Sequence, residues 1–313
     1  MAEEVNDNRA SLENIDIVKL VKVIWREKFL VIGTTFAVTS LALLYALWLP
    51  NQYQSQAIIA PKEPEKSQGL ASGVAGELGG LASLAGLNLG ALGMSSAGLP
   101  RSVIIRERLK TLSFFEENLY EFFLPNLMAV QGWDPLTGKL VYNSEIYEVE
   151  SQSWVRQAKP PLKSKPSAQE AHREYQYHFD LEPDPDTGLL TLRMKHLSPI
   201  VARDWLLAVL DALDREIKSK EVSEAENAIA FLENKIVEVN LLTLSTAFAK
   251  LLDEQAQTVM LAGISTPYAF EVIESPSVME RKSEPNRFLL LLIGFFAGLF
   301  SSLIIVIVKS TRW

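Results

Sequence analysis

Two long apolar runs lie near the two ends of the chain, and the amphipathic patterns fall between them. Residues 29–49 and residues 288–308 each form a stretch of 21 residues without a charged side chain. At about 1.5 Å of rise per residue, either run makes a helix of roughly 31 Å, which matches the ~30 Å hydrocarbon layer of a bilayer. The pattern therefore predicts a transmembrane helix at each end.

The first run is predicted to remain as an anchor rather than to be cleaved as a signal peptide. A signal peptide has an apolar core of about 7 to 15 residues, which is shorter than this run, although a small-x-small sequence follows at Ser55-Gln56-Ala57. Basic residues flank the outer ends of the two runs: Lys19, Lys22, Arg26, Lys28, Lys309 and Arg312. Because basic flanks stay in the cytoplasm, segments 1–28 and 309–313 are predicted to be cytoplasmic and 50–287 extracytoplasmic.

The first part of the region between the runs reads as a strand followed by a glycine-rich segment. Residues 52–59 partly alternate and then become apolar, which is typical of a strand. Residues 69–99 hold nine of the 16 glycines among Leu, Ala and Ser. A third span is one interpretation of this segment, but glycine disfavours a helix by about 1 kcal/mol per residue relative to alanine. A loop is the preferred interpretation.

The middle of the chain mixes helical and strand patterns. Ser102 as an N-cap and apolar residues at helical spacing predict a helix over 102–123 that ends before Pro125. Ser167 predicts a capped helix to about His178, and a strand is expected over 189–195. Residues 125–166 give no clear order. These patterns predict an α+β domain.

The clearest local signal begins at Ser198, an N-cap residue followed by proline at the first helical position. Apolar residues then recur at steps of three and four, with no proline or glycine before Gly263. This pattern predicts one long extended helix over about 198–262. The alternative is two helices joined near Lys220 to Ser223 or near Asn240. An apolar stripe of this length is buried by lateral packing, so Leu232 and Ile236 are candidate contacts between helices or between subunits.

Charge and composition exclude several functional classes. The formal net charge is −8, and the region 50–287 accounts for −9 of it, because segment 1–28 carries −1 and the tail +2. An acidic surface does not favour a nucleic-acid partner. Cysteine is absent, which excludes disulfides and thiolate chemistry.

The motifs of catalysis and cofactor binding are also missing from the sequence. It has no Gly-x-x-x-x-Gly-Lys-[Ser/Thr] loop and no Gly-x-Ser-x-Gly elbow. Of the three histidines, His172 and His178 are six residues apart and would face away from each other on a helix. We therefore expect no enzyme activity, no cofactor and no metal.

Two further features mark candidate packing and membrane-approach residues. Gly294 and Gly298 form a Gly-x-x-x-Gly in the second apolar run, a spacing that lets another helix approach closely. Pro276, Pro285 and Arg287 lie on the approach to that run and are candidates for fixing its entry into the membrane.

These features together resemble the polysaccharide co-polymerases, the Wzz or chain-length determinant family. The resemblance covers essentially the whole chain, although residues 125–190 add little to it. The segments that carry it are Gly80–Leu87, Leu251–Gln255, Thr258–Ala262, Tyr268–Pro276 and Pro285-Asn286-Arg287. One departure is Met279, at a position where many members have proline, which bears on the rigidity of the membrane approach.

The resemblance implies a bacterial inner-membrane protein whose copies assemble in a ring, with long helices rising into the periplasm. It also implies control of the length of O-antigen or a related surface polysaccharide made by a separate polymerase, with the growing glycan as a further candidate partner. Family members with a kinase domain carry it after the second span, and this chain is expected to lie outside that subclass. The alternative function is an extracytoplasmic sensor or adaptor that recruits a separate kinase or export channel.

Overall fold

The computed structural model describes residues 25–62, 99–238 and 242–311 and divides the chain into two compact units. One unit combines residues up to Asn51 with those from Ser283 onward, and the other comprises Gln52–Lys282. The glycine-rich segment 69–99 lies almost wholly outside the described residues, so the choice between loop and third span stays a prediction.

The first unit is a pair of long apolar helices, α1 (Lys28–Trp48) and α8 (Arg287–Thr311). The two helices pack against each other, and both are long and apolar enough to cross a membrane. Large apolar side chains cover their outer surfaces, for example Phe36 on α1 and Phe300 on α8. Such a surface suits a lipid environment.

The second unit is built on an antiparallel sheet of four strands. In their order across the sheet, the strands are β6 (Phe179–Pro183), β7 (Leu190–His196), β1 (Tyr53–Pro61) and β8 (Phe270–Glu274). Alternate residues of β7 are buried, which shows that the helices cover one face of this strand. The strands predicted at 52–59 and 189–195 are thus present with small shifts in their ends.

Four short helices cover this face together with the first half of a long one. They are α2 (Arg101–Leu109), α3 (Leu112–Asn118), α4 (Tyr120–Met128) and α5 (Ala168–His178). The single helix predicted over 102–123 is wrong. Thr111 interrupts it, because its hydroxyl accepts a hydrogen bond from the N–H of Phe114 at 3.3 Å and caps a new helix.

Aromatic rings fill the core between the sheet and these helices. Phe123 of α4 stacks on Trp205 with ring centroids 4.6 Å apart, and Tyr175 of α5 stacks on Phe179 at 5.1 Å. All four side chains are buried. The predicted cap at Ser167 is also present, as a capping box with Glu170 that fixes the start of α5.

Residues 125–166, for which the sequence indicates no order, contain two small β-hairpins. Strand β2 (Val130–Trp133) pairs with β3 (Leu140–Tyr142), and β4 (Tyr147–Glu148) pairs with β5 (Ser153–Trp154). Their strands are two to four residues long, too short for a periodic signal.

The long helical region consists of two helices, α6 (Pro199–Glu238) and α7 (Leu242–Ile264), which pack against each other. The predicted single helix over about 198–262 is therefore wrong, and the alternative with a junction near Asn240 fits the described residues. The long helix itself is confirmed, since α6 has 40 residues. The predicted class, an α+β region with a long helix between two apolar helices, is likewise confirmed.

Candidate functional site

The two glycines of the Gly-x-x-x-Gly lie where α8 contacts α1. A Cβ atom built on Gly294 would overlap with the Cβ of Ala42. A Cβ atom on Gly298 would lie 3.0 Å from the Cα and 3.1 Å from the carbonyl oxygen of Thr35. Both glycines thus contact the chain's own first apolar helix, at a separation that leaves no room for a Cβ atom at Gly294 and little room at Gly298.

Polar contacts join this pair of helices near both ends. Arg287 donates to the carbonyl oxygen of Ala46 at 3.3 Å and to Oδ1 of Asn51 at 3.2 Å. The Ala46 carbonyl belongs to the last turn of α1, where intrahelical partners run out and a cation is favourable. At the other end, Lys309 forms an ion pair with Glu27 at 2.9 Å. These contacts hold the register of the two apolar helices.

The two prolines of the membrane approach lie outside regular elements and are partly buried. Pro276 follows β8, and Pro285 precedes α8 by two residues. Beside Pro276, the carbonyl oxygen of Ser277 accepts a hydrogen bond from the hydroxyl of the buried Ser55 at 2.9 Å. The segment after β8 is therefore attached to the start of β1.

A carboxylate fixes the end of the α6–α7 pair that leads into the sheet, which we call the base of the pair. Asp214 of α6 accepts hydrogen bonds through Oδ1 from the backbone N–H groups of Tyr268 and Ala269, each at 2.7 Å. These groups lie between α7 and β8, so Asp214 fixes the point at which the chain rejoins the sheet.

A second polar cluster lies two turns along α6. Arg101 forms a partly buried ion pair with Glu221, and the hydroxyl of Tyr268 donates to the other oxygen of Glu221 at 2.6 Å. Burial, and then the hydrogen bond to Glu221, raise the pKa of Tyr268 to about 12. The phenol therefore stays protonated at neutral pH and acts as a donor, and the cluster links α2, α6 and the return segment.

The structure places Leu232 and Ile236 on the far half of α6. Leu232 is buried, together with Ala228 one turn earlier and Ala225 two turns earlier, and Ile236 is half-buried. Among the described elements, α7 packs against α6. Leu232 is thus covered within one chain, and the neighbouring Phe231 is exposed.

The histidines pack against aromatic rings of the sheet–helix unit. His196 lies under Trp205, with its Nδ1 accepting from the Ser198 N–H at 3.0 Å and its Nε2 donating to the Asn126 carbonyl at 3.3 Å. Burial lowers the pKa of His196 to about 4, so the ring is neutral. The described residues contain no group of three His, Asp or Glu side chains that could hold a metal ion.

The sequence reasoning missed Asp214, although a signal exists. Asp214 follows Leu210 by four residues and precedes Ile217 by three, so it lies on the apolar face of α6. An acid inside an apolar stripe indicates a buried hydrogen-bonding role. Arg101 and Glu221, by contrast, are 120 residues apart, and no local sequence pattern indicates that they form a pair.

Comparisons with known proteins point to one family. Residues 13–90, which include α1 and β1, match the sequence model of the family described as Wzz, chain length determinant protein. No curated protein sequence matches the chain.

Two solved structures described as polysaccharide co-polymerases have low structural similarity to this chain. A full-length bacterial polysaccharide co-polymerase has 12% identity and a TM-score of 0.38, covering 95% of this chain and 98% of that one. A fragment of WzzB, a polysaccharide co-polymerase from Salmonella Typhimurium, has 14% identity and a TM-score of 0.30, covering 75% and 100%. The resemblance stated from the sequence is confirmed over residues 13–90, where this chain matches the Wzz chain length determinant family.

Proposed function

We propose that this protein regulates the chain length of a surface polysaccharide, O-antigen or a related polymer, that a separate polymerase synthesises. It acts as a non-catalytic homo-oligomer in the bacterial inner membrane, with both termini in the cytoplasm and residues 50–287 in the periplasm. The polymerase is its partner, and the growing glycan is a second contact.

The observation that carries this proposal is the match of residues 13–90 to the chain length determinant family. The matched segment includes the first apolar helix and the first strand, which are the elements that join the membrane part to the sheet. The paired helices α1 and α8 support the placement in a membrane, since both meet the length and hydropathy required of a span.

Three carboxyl groups with a shifted pKa have structural roles. A general acid at neutral pH needs a raised pKa. Within the described ranges, the carboxyl groups with a resolved change, Asp134, Glu170 and Asp184, all have a lowered pKa. The causes are the side-chain hydrogen bonds from Thr137, Arg156 and Thr187, respectively, which stabilise turns and a helix start.

The test is the length distribution of surface polysaccharide on gels. Deletion of the gene should replace a clustered distribution with an unregulated, mostly shorter one while polymer is still made. Restoring the wild-type gene should restore the cluster. Complete loss of polymer on deletion, or glycan cleavage by the purified protein, would show that the protein is an enzyme of synthesis or degradation.

Two glycine variants test whether the contact between α1 and α8 is needed for chain-length control, and a third variant controls for a general loss of protein. G294L and G298L place large side chains where α1 lies, so they should shift or blur the cluster at normal expression. G33L is the matched control, because a Cβ at Gly33 of α1 meets nothing within 4 Å. An unchanged cluster in both contact variants would exclude the α1–α8 contact from chain-length control.

A further inference from the structure

One turn occurs twice in this chain with nearly the same sequence. Asp134-Pro135-Leu136-Thr137-Gly138 joins β2 to β3, and Asp184-Pro185-Asp186-Thr187-Gly188 joins β6 to β7. The two sequences differ only at their third position, which is Leu136 in the first turn and Asp186 in the second.

The two turns also share their hydrogen bonds. In each, the first aspartate accepts through Oδ1 from the N–H of the third residue at 2.9 Å and through Oδ2 from the threonine hydroxyl at 2.7 Å. In each, the glycine has a positive φ, 69° in one and 71° in the other. The turn geometry is therefore set by Asp, Thr and Gly and does not depend on the third side chain.

The third position is nevertheless filled differently at the two sites. Leu136 is 96% exposed, whereas the equivalent Asp186 is an exposed acid of the kind expected at a turn tip. The residue after the glycine also differs, since it is the exposed Lys139 in the first turn and the partly buried Leu189 in the second. The fold explains neither Leu136 nor Lys139, so both suit a contact outside the unit.

Chain connectivity places the two turns at opposite ends of β1. The ring of Trp133, which precedes the first turn, lies 5.3 Å from the ring of Tyr53 at the start of β1. Tyr53 is five residues after Trp48, the last residue of α1, so the chain between them spans at most about 18 Å. The second turn lies beyond Leu190, which pairs with Ile59, six residues and about 20 Å further along β1.

We propose that the tip of the β2–β3 turn is a membrane contact, with Leu136 inserted into the interfacial layer of the bilayer and Lys139 beside the lipid phosphates. The inference rests on the proposed membrane placement of α1 and α8. An apolar side chain at a tip, a neighbouring base and nearby Trp and Tyr rings form the residue set that favours a lipid interface. The second turn, at the opposite end of β1, carries an acid at the same position.

The absence of cysteine allows this contact to be measured at single sites in the full-length chain. A cysteine at Lys139 reports on the first turn without altering Leu136, and a cysteine at Leu189 reports on the second. The K139C and L189C proteins are labelled with a nitrobenzoxadiazole fluorophore and placed in nanodiscs of phosphatidylcholine and phosphatidylglycerol. Quenching is then compared between lipid-borne doxyl groups and aqueous iodide.

The label at K139C should be quenched by the doxyl lipid several-fold more than the label at L189C. Adding L136D should reduce this difference strongly, and the variant should fold because Asp is already present in the second turn. The reciprocal D186L change should leave the L189C label exposed to iodide only. A label at S301C, on the exposed side of α8, is the control for membrane insertion.

Three results would overturn the proposal. If S301C is quenched by lipid but K139C is not, the turn faces water and only this inference fails. If K139C is shielded from both quenchers, the turn contacts protein, such as a second copy, rather than lipid. If S301C itself escapes the doxyl lipid, the membrane placement fails and takes both this inference and the proposed localisation with it.

Discussion

Asp214 and Tyr268 are 54 positions apart in the chain, yet the carboxylate of Asp214 accepts a hydrogen bond from the Tyr268 N–H at 2.7 Å. A straight helix from Asp214 to residue 262 would be about 72 Å long, and six further residues span at most roughly 22 Å. The hydrogen bond is therefore incompatible with one uninterrupted helix. The chain must reverse direction between α6 and β8, and Asp214 marks where it returns.

Removal of this carboxylate should destabilise the base of the α6–α7 pair. D214A leaves two backbone N–H groups without their acceptor, so we expect the free energy of unfolding to fall by about 2 kcal/mol. D214N keeps an acceptor oxygen and should lose less. The measurement is denaturant unfolding of the full-length protein in detergent, followed by tryptophan fluorescence.

The control for this change is one turn away on the same helix. Asp211 forms an exposed ion pair with Arg215, and such pairs contribute about 0.5 kcal/mol or less. D211A should therefore be close to wild type. Equal effects of D211A and D214A would show that helix charge, and not the contact with Tyr268, determines the loss.

The packing of the apolar helices predicts a sharp difference among three glycines. G294A should separate α1 from α8 and lower the thermal midpoint in detergent, because its Cβ would overlap with Ala42. G298A should act in the same direction through Thr35. G33A should leave the midpoint unchanged or raise it slightly, since it meets open space and alanine favours a helix. A midpoint lowered equally by all three changes would contradict the assigned contact.

The local elements of the sheet were predictable from the sequence, because their signals are local. Ser167 with Glu170 and the alternation of Leu190, Leu192 and Met194 identify α5 and β7 directly. The prediction of one helix over 102–123 is wrong because Thr111 fits the helical spacing, yet its hydroxyl accepts from the Phe114 N–H and starts a new helix.

The candidate site was predictable only in part, because its contacts join residues that are far apart in the sequence. Gly294 and Gly298 stand out by their spacing, but the sequence does not say which helix they contact. The structure brings them to α1 of the same chain. No proline or glycine indicates in the sequence that the chain reverses direction between α6 and β8. The contact that requires the reversal, Asp214 with Tyr268, joins segments 54 positions apart.

The buried His196 predicts a loss of stability in mild acid. Its pKa is lowered to about 4 in the folded chain and is about 6.5 when unfolded, so the unfolded chain binds more protons between these values. Stability therefore falls as the pH falls, by about 2 kcal/mol between pH 7 and pH 5. Protonation of Nδ1 would also remove the acceptor for the Ser198 N–H.

The measurement is the free energy of unfolding of wild type and H196Q at several pH values from 7 to 5. H196Q should be less stable at pH 7 but should show a much shallower pH slope. The ring centroids of His178 and His196 are 6.4 Å apart, and burial also lowers the pKa of His178. His178 therefore adds a smaller dependence of stability on pH, with the same sign. An H196Q slope equal to that of wild type would rule out His196 as the titrating group.

The membrane topology predicts the side on which three fusion sites report. Reporter fusions after Asn51 and after Pro276 should both be active as periplasmic reporters, and a fusion after Trp313 should report the cytoplasm. A cytoplasmic result at Pro276 would require a further crossing between these sites and would support residues 69–99 as a third span.

The far half of α6 predicts opposite results for two adjacent residues. Leu232 is 2% exposed and lies on the face with Ala225 and Ala228, so L232K should unfold this half of α6 and increase its proteolysis. Phe231 is 36% exposed, so F231K should leave the helices protected from protease. If copies of the chain associate through the outer face of α6, F231K should instead reduce the particle mass measured by light scattering in detergent. Loss of association in L232K with normal protease resistance would place Leu232 between subunits.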